Sequence, residues 1–235
     1  MEQRLKLAAL FVLSIALIAF ELSIMRVFAV GSWSNFGNLI ISTALLGFGL
    51  SGAVLTFCAK SVERNSGLWL HITSLLFAVT MPLAQIVSQR VPFEPIFLGA
   101  DPGQIALLGA YYLIYGTPFV CGALFIGVSF VTLRDRVHQL YFWNMVGSGL
   151  GGFVAILIMY LLAPAQLVLP VMLLALIANL LVMVKPDQFG KIGLSTYRFA
   201  SSVGATMVAL VLILALARSG SANTNQSVTP TNIPN

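Results

Sequence analysis

Residues 7–30, LAALFVLSIALIAFELSIMRVFAV, decide the class of this chain. A run of about 20 apolar residues spans the hydrocarbon core of a bilayer as one helix, and here only Glu21 and Arg26 bring charge into it. Comparable runs recur at 39–59, 68–88, 105–133, 141–162, 165–184 and 199–217, separated by short polar stretches. Lipid offers no hydrogen-bond partner to a backbone, so such segments must satisfy their own peptide groups as helices. The pattern predicts an all-α polytopic membrane protein with seven transmembrane helices, one domain over 1–217 and a polar tail over 218–235.

Composition agrees. Of 235 residues, 59% are hydrophobic and 8% charged, against roughly 25% charged in a soluble domain. The net charge of +5 resolves into orientation. Arg4 and Lys6 precede the first segment, Lys60 and Arg64 follow the second, Arg134 and Arg136 follow the fourth, and Lys185, Lys191 and Arg198 lie between the sixth and seventh. All of these fall on one side of an alternating thread, and only Arg90 and Arg218 flank the other. The excess of Lys and Arg on cytoplasmic loops then places the N-terminus in the cytoplasm and the C-terminus outside. No basic patch is left over for nucleic acid, and anionic headgroups are the partners this charge implies.

The first segment exceeds a typical signal-peptide apolar core and no small-x-small site follows it, so it is expected to stay as a helix. Cys58 and Cys121 fall in cytoplasmic halves of spans, away from oxidising conditions, and read as packing residues, not a disulfide. The loop 89–104, with Pro92, Pro95 and Pro102 among Phe93, Phe97 and Leu98, is expected to lie on the interface, and Ala163-Pro164 forces an antiparallel hairpin. The tail from Ser219 is rich in Ser, Thr, Asn and Pro and is expected to be disordered. Its Asn225-Gln226-Ser227 fits the glycosylation triplet, which is silent in most bacteria.

Glu21 is the costliest residue of the chain. An ionised carboxylate near the middle of a span costs about 2.5–3.5 kcal/mol by insertion scales unless paired or protonated. Arg26, five residues on, is turned by roughly 140° and does not stack on it. Two readings stand: a buried polar site, or an interhelical clamp with a snorkelling arginine. Tyr111, Tyr112 and Tyr115 in the fourth segment precede Pro118, which frees the carbonyl of Ile114 and kinks the helix. Tyr115, expected at matching depth, is the first candidate partner for Glu21.

Residues 147–152, GSGLGG, spell the dinucleotide fingerprint, but that motif requires a preceding strand. Gly147, Gly151 and Gly152 read as a helix-packing face, within the bundle or against a neighbour, as do Gly47, Gly49 and Gly52. His71 and His138 read as interfacial polar residues. The last segment has no lysine for a retinal Schiff base, and no HExxH, Ser/His/Asp or paired-carboxylate set is visible. The reading includes no metal and no cofactor.

Three segments together look familiar. FELSIMRVFAVGSWSNFGNLIISTALLGFGLSG (20–52), YGTPFVCGALF (115–125) and LYFWNMVGSGLGGFVAILIMYLLAP (140–164) resemble, in order and spacing, the membrane region of membrane-bound spermidine synthase-like proteins. That resemblance covers roughly residues 10–185. It implies the membrane fold and a role for Glu21, Arg26, Tyr141 and Asn144. In that family a Rossmann-type aminopropyltransferase domain is joined to the membrane region. Here one more apolar segment and a short tail follow, without strand-helix alternation or an acidic cluster for an amine. The catalysis therefore does not transfer.

The expected function is a non-catalytic membrane subunit, in a bacterial inner membrane, that packs against partner membrane proteins through glycine-rich faces. The alternatives are a carrier or lipophilic-ligand binder working at Glu21 and Pro118, and the membrane half of a split aminopropyltransferase. The chain alone is expected to transfer no aminopropyl group.

Overall fold

A computed structural model describes residues 2–30 and 37–183. They form α1 (Glu2–Val30), α2 (Gly37–Arg64), α3 (Ser66–Ser88), α4 (Gly103–Thr132), α5 (Val137–Leu161) and α6 (Val168–Met183). Single 3-10 turns stand at Pro95–Phe97, Arg134–Arg136 and Pro164–Gln166, and no strand occurs among the described residues. Five helices, α1 to α5, are long and apolar enough to cross a membrane. The α6 helix is shorter at 16 residues, a rise of about 24 Å. The seventh apolar segment, the tail, the Lys185–Arg198 connection and the turn at Gly31-Ser32 lie outside the described residues.

The helices outrun their apolar windows. Helix α1 begins at Glu2, α2 continues through Lys60, Glu63 and Arg64, and α5 takes in His138 and Gln139. An apolar window marks only what lipid covers, whereas Glu, Lys, Arg and Gln are good helix formers that carry the helix on into the polar zone.

Contacts fix the relative directions. The position of Gly147 meets Phe11 and that of Gly151 meets Ile15, so α5 runs parallel to α1. Gly47 meets Phe119 and Gly116 meets Thr43, so α2 and α4 are also parallel. Phe20 touches Phe119 while Phe28 touches Tyr111 and Tyr115, which makes α1 and α4 antiparallel. The three-residue turn at Pro164–Gln166 joins α5 to α6, but the two helices pack on α1 and scarcely touch each other, so the arms of the expected Ala163-Pro164 hairpin are not paired.

Helix α1 is the axis of the bundle. Leu10, Leu13, Ala16, Ala19, Phe20 and Ile24 on it are fully buried, and Phe20 meets Phe77 of α3 edge-on at 6.3 Å and Phe119 of α4 at 5.4 Å. Lipid tails are as apolar as leucine, so in a bilayer such helices associate through close packing and buried polar contacts more than through removal of apolar surface from water. Hydroxyls on apolar helices, buried or not, return to their own backbone: Thr43 Oγ1 donates to Leu39, Thr80 Oγ1 to Leu76, Thr132 Oγ1 to Val128 (each 2.7 Å), and Thr117 Oγ1 to Leu113 and Ser129 Oγ to Phe125 (each 2.8 Å).

The loop between α3 and α4 is tied down. Phe93 is buried against Tyr111 with ring centroids 5.3 Å apart, Gln104 Oε1 accepts from the Glu94 amide at 2.9 Å, and Asp101 Oδ1 accepts from the Gly103 amide at 2.8 Å. Phe97 and Ile96 remain exposed.

Candidate functional site

The glycines divide into two populations. A Cβ built on Gly147 would stand 2.6 Å from the Phe11 carbonyl oxygen, and one on Gly151 would stand 2.7 Å from that of Ile15. These two residues let α5 approach α1 backbone to backbone, so the GxxxG face is spent within the bundle. Gly47 does the same for α2, its Cβ position lying 2.7 Å from Phe119 Cβ. Gly49, Gly52 and Gly152, by contrast, have nothing within 4 Å. Gly49 and Gly52 are exposed.

The residues expected around one intramembrane polar site lie at several levels. Tyr115, 2% exposed, has its hydroxyl 2.8 Å from Ser88 Oγ on α3. Ser88 Oγ also donates to the Gln85 carbonyl at 3.0 Å. A hydroxyl carries one proton, so Tyr115 is the donor to Ser88. Tyr111 donates to the carbonyl of the same serine at 3.0 Å. Both tyrosines thereby staple α4 to the end of α3, and both meet Phe28 edge-on.

This corrects the expected Glu21–Tyr115 pairing. Phe28 lies seven residues beyond Glu21, about 10 Å along the axis, and Tyr115 faces α3. Glu21 is half-buried and forms no ion pair or hydrogen bond among the described residues. Arg26 is exposed.

Asn144 lies at a third level. Ser14 Oγ is 2.8 Å from the Leu10 carbonyl oxygen and 2.8 Å from the Asn144 amide. The Asn144 atom is its side-chain oxygen Oδ1, so the serine hydroxyl faces two acceptors and its one proton serves one or the other. Ser14 precedes Glu21 by seven residues, again about 10 Å of rise. Tyr141, 59% exposed, lies on the outside of α5. Of the named residues, Asn144 thus serves the junction of α1 with α5 and Tyr115 that of α3 with α4, whereas Glu21, Arg26 and Tyr141 join neither.

One polar cluster escaped the sequence reading. Asn179 Nδ2 on α6 lies 3.0 Å from the His71 carbonyl oxygen, 2.9 Å from Ser74 Oγ and 3.1 Å from His71 Nδ1 on α3. Asn179 is 1% and His71 7% exposed. This corrects the interfacial assignment of His71: its position near a helix end looked solvated, but α6 covers it. Asn179 is the one amide within the apolar run of α6, and that was the signal available.

Two further buried atoms, Ser23 Oγ and Gln85 Oε1, have no partner among the described residues, and no group of three His, Cys, Asp or Glu able to hold a metal occurs among them. Fold and polar contacts together define an all-α bundle with five helices of membrane-spanning length, joined by glycine seams and small polar staples. Compared with models of protein families, with curated proteins and with solved structures, the chain shows no match.

Proposed function

We propose that the chain is a non-catalytic subunit of a bacterial cytoplasmic membrane, built like the membrane region of spermidine synthase-like proteins, and that it packs against a partner membrane protein through the open face of α2. The observation that carries this reading is the pair Gly49 and Gly52, exposed and with nothing within 4 Å. With Ala53 and Thr56, also exposed, they share one helix face at i, i+3, i+4 and i+7 spacing. Glycine in a helix costs about 1 kcal/mol relative to alanine, and in lipid that cost is recovered where a second backbone comes close. Gly47 on the same helix recovers it against Phe119.

Cross-linking tests this. A cysteine at Gly49 is expected to capture one other membrane protein at fixed stoichiometry in native membranes, whereas one at Leu113, exposed on α4, is not. Capture of the chain's own segment 199–217, or of nothing, would contradict the reading.

A second reading, a carrier working at Glu21, is favoured by that carboxylate's lack of a partner among the described residues, since an unpaired charge at this depth is expensive. Substrate-dependent uptake by vesicles holding the chain alone would select it over the first.

The proposed topology has the N-terminus inside and seven spans, supported by the distribution of the basic flanks. Cysteines at Ser34 and Ser227 are expected to label from outside intact cells, and one at Ser66 is not. External labelling at position 66 would invert the orientation.

A further inference from the structure

At the end of the bundle where α1 and α5 begin, a groove of about 760 Å³ opens between them. Its mouth carries Arg4 of α1 with Arg136 and Gln139 at the start of α5, and its walls are apolar, including Phe11, Phe142 and Trp143. Because the two helices run parallel, in the register set by Gly147 on Phe11 and Gly151 on Ile15, both guanidinium groups come to the same end. The Phe11 and Trp143 rings meet edge-on at 5.5 Å, and Trp143 meets Phe142 at 5.4 Å, so the aromatic wall is continuous.

No acid lines the groove. Glu2, the acid nearest Arg4 in the sequence, pairs with Lys6 at 2.9 Å. Neither Arg4 nor Arg136 is held by a carboxylate among the described residues. The arrangement is thus a cationic rim with amide and imidazole donors from Gln139 and His138, above an apolar slot. A guanidinium presents parallel N–H donors that match a phosphate's oxygens, and the slot accepts the methylenes below a headgroup. Basic pockets between membrane helices recognise anionic lipid in this way.

We infer that this groove is a binding site for one anionic glycerophospholipid, its phosphate between Arg4 and Arg136 and the upper part of an acyl chain along Phe11 and Trp143. The inference rests on the membrane placement proposed above but not on which side of the membrane the N-terminus lies. A soluble phosphate compound would satisfy the rim alone and leave the aromatic wall bare, which is why lipid is the favoured source.

Native mass spectrometry of the purified chain, titrated with phosphatidylglycerol or phosphatidylcholine in the same detergent, tests this. We expect at least tenfold preferential retention of phosphatidylglycerol, reduced to parity by R4Q/R136Q and unchanged by R134Q, whose arginine does not line the groove. Both side chains are at least partly exposed, so the double variant is expected to keep the elution volume and helicity of the native chain. Equal retention of the two lipids, or full selectivity in the double variant, would overturn the site. Saturable displacement by millimolar glycerol 3-phosphate, with no retained lipid, would overturn the lipid as its occupant. Release of the chain from membranes by alkaline carbonate would instead refute the membrane placement itself, so the two failures are distinguishable.

Discussion

Gly151→Leu is expected to destroy the packing of the isolated chain, and Gly147→Leu to do the same. The obstacles are main-chain atoms: the added Cβ would stand 2.7 Å from the Ile15 carbonyl oxygen in one case and 2.6 Å from that of Phe11 in the other. A flexible side chain can turn away from an intruding atom, but a helix backbone moves only by shifting the whole of α1 against α5. Overpacking typically costs about 1–3 kcal/mol and occasionally more, and a backbone obstacle places these variants at or above the top of that range. Gly152→Leu is the internal control, since nothing lies within 4 Å of its Cβ position. Exchange of glycine for a good helix former leaves it neutral or slightly more stable. Thermal unfolding of the purified variants in one detergent gives the comparison. Equal midpoints for the 151 and 152 variants would contradict the α1–α5 seam. Of the two readings of this face, within the bundle or against a neighbour, Gly147 and Gly151 take the first.

Asn179→Leu is expected to loosen α6 from α3. The amide has two protons and faces three acceptors, the His71 carbonyl, Ser74 Oγ and His71 Nδ1. Ser74 already gives its own proton to Leu70, at 2.8 Å. Leucine fills similar volume and makes none of these bonds, leaving the acceptors buried beneath α6. A hydrogen bond between membrane helices averages about 0.6 kcal/mol and reaches about 1.7, so the cluster is expected to contribute roughly 1–2 kcal/mol. Unfolding of Asn179→Leu, His71→Leu and the double variant checks it. The double variant is expected to lose less than the two single losses together, because both remove the same contact. Strict additivity would show that the two residues do not act as a pair.

The helices were legible because lipid imposes a length and a polarity that sequence displays directly, as in residues 7–30. Their polar extensions were less so: Glu2 to Lys6 and His138 to Gln139 carry no apolar signal, only helix propensity. What a residue touches across the bundle was the hidden part. GSGLGG announces a close approach without saying to what; Gly147 and Gly151 meet α1, while Gly49 and Gly52 meet nothing among the described residues. Tyr115 was assigned to Glu21 by counting depth along each helix, but counting fixes height and not azimuth, and its hydroxyl points to Ser88 on α3. His71 failed for a related reason. Its burial depends on Asn179, over a hundred positions away in the chain, and no local pattern carries that information.

Whether the chain is one part of a larger membrane assembly is decided by native mass spectrometry of complexes extracted from native membranes in mild detergent. The predicted result is a single mass in which the chain and another membrane protein stand in fixed ratio, lost when Gly49 is changed to leucine while the chain itself stays folded. Recovery of the chain only as a monomer with bound lipid, from the same membranes and at every detergent concentration, would contradict it.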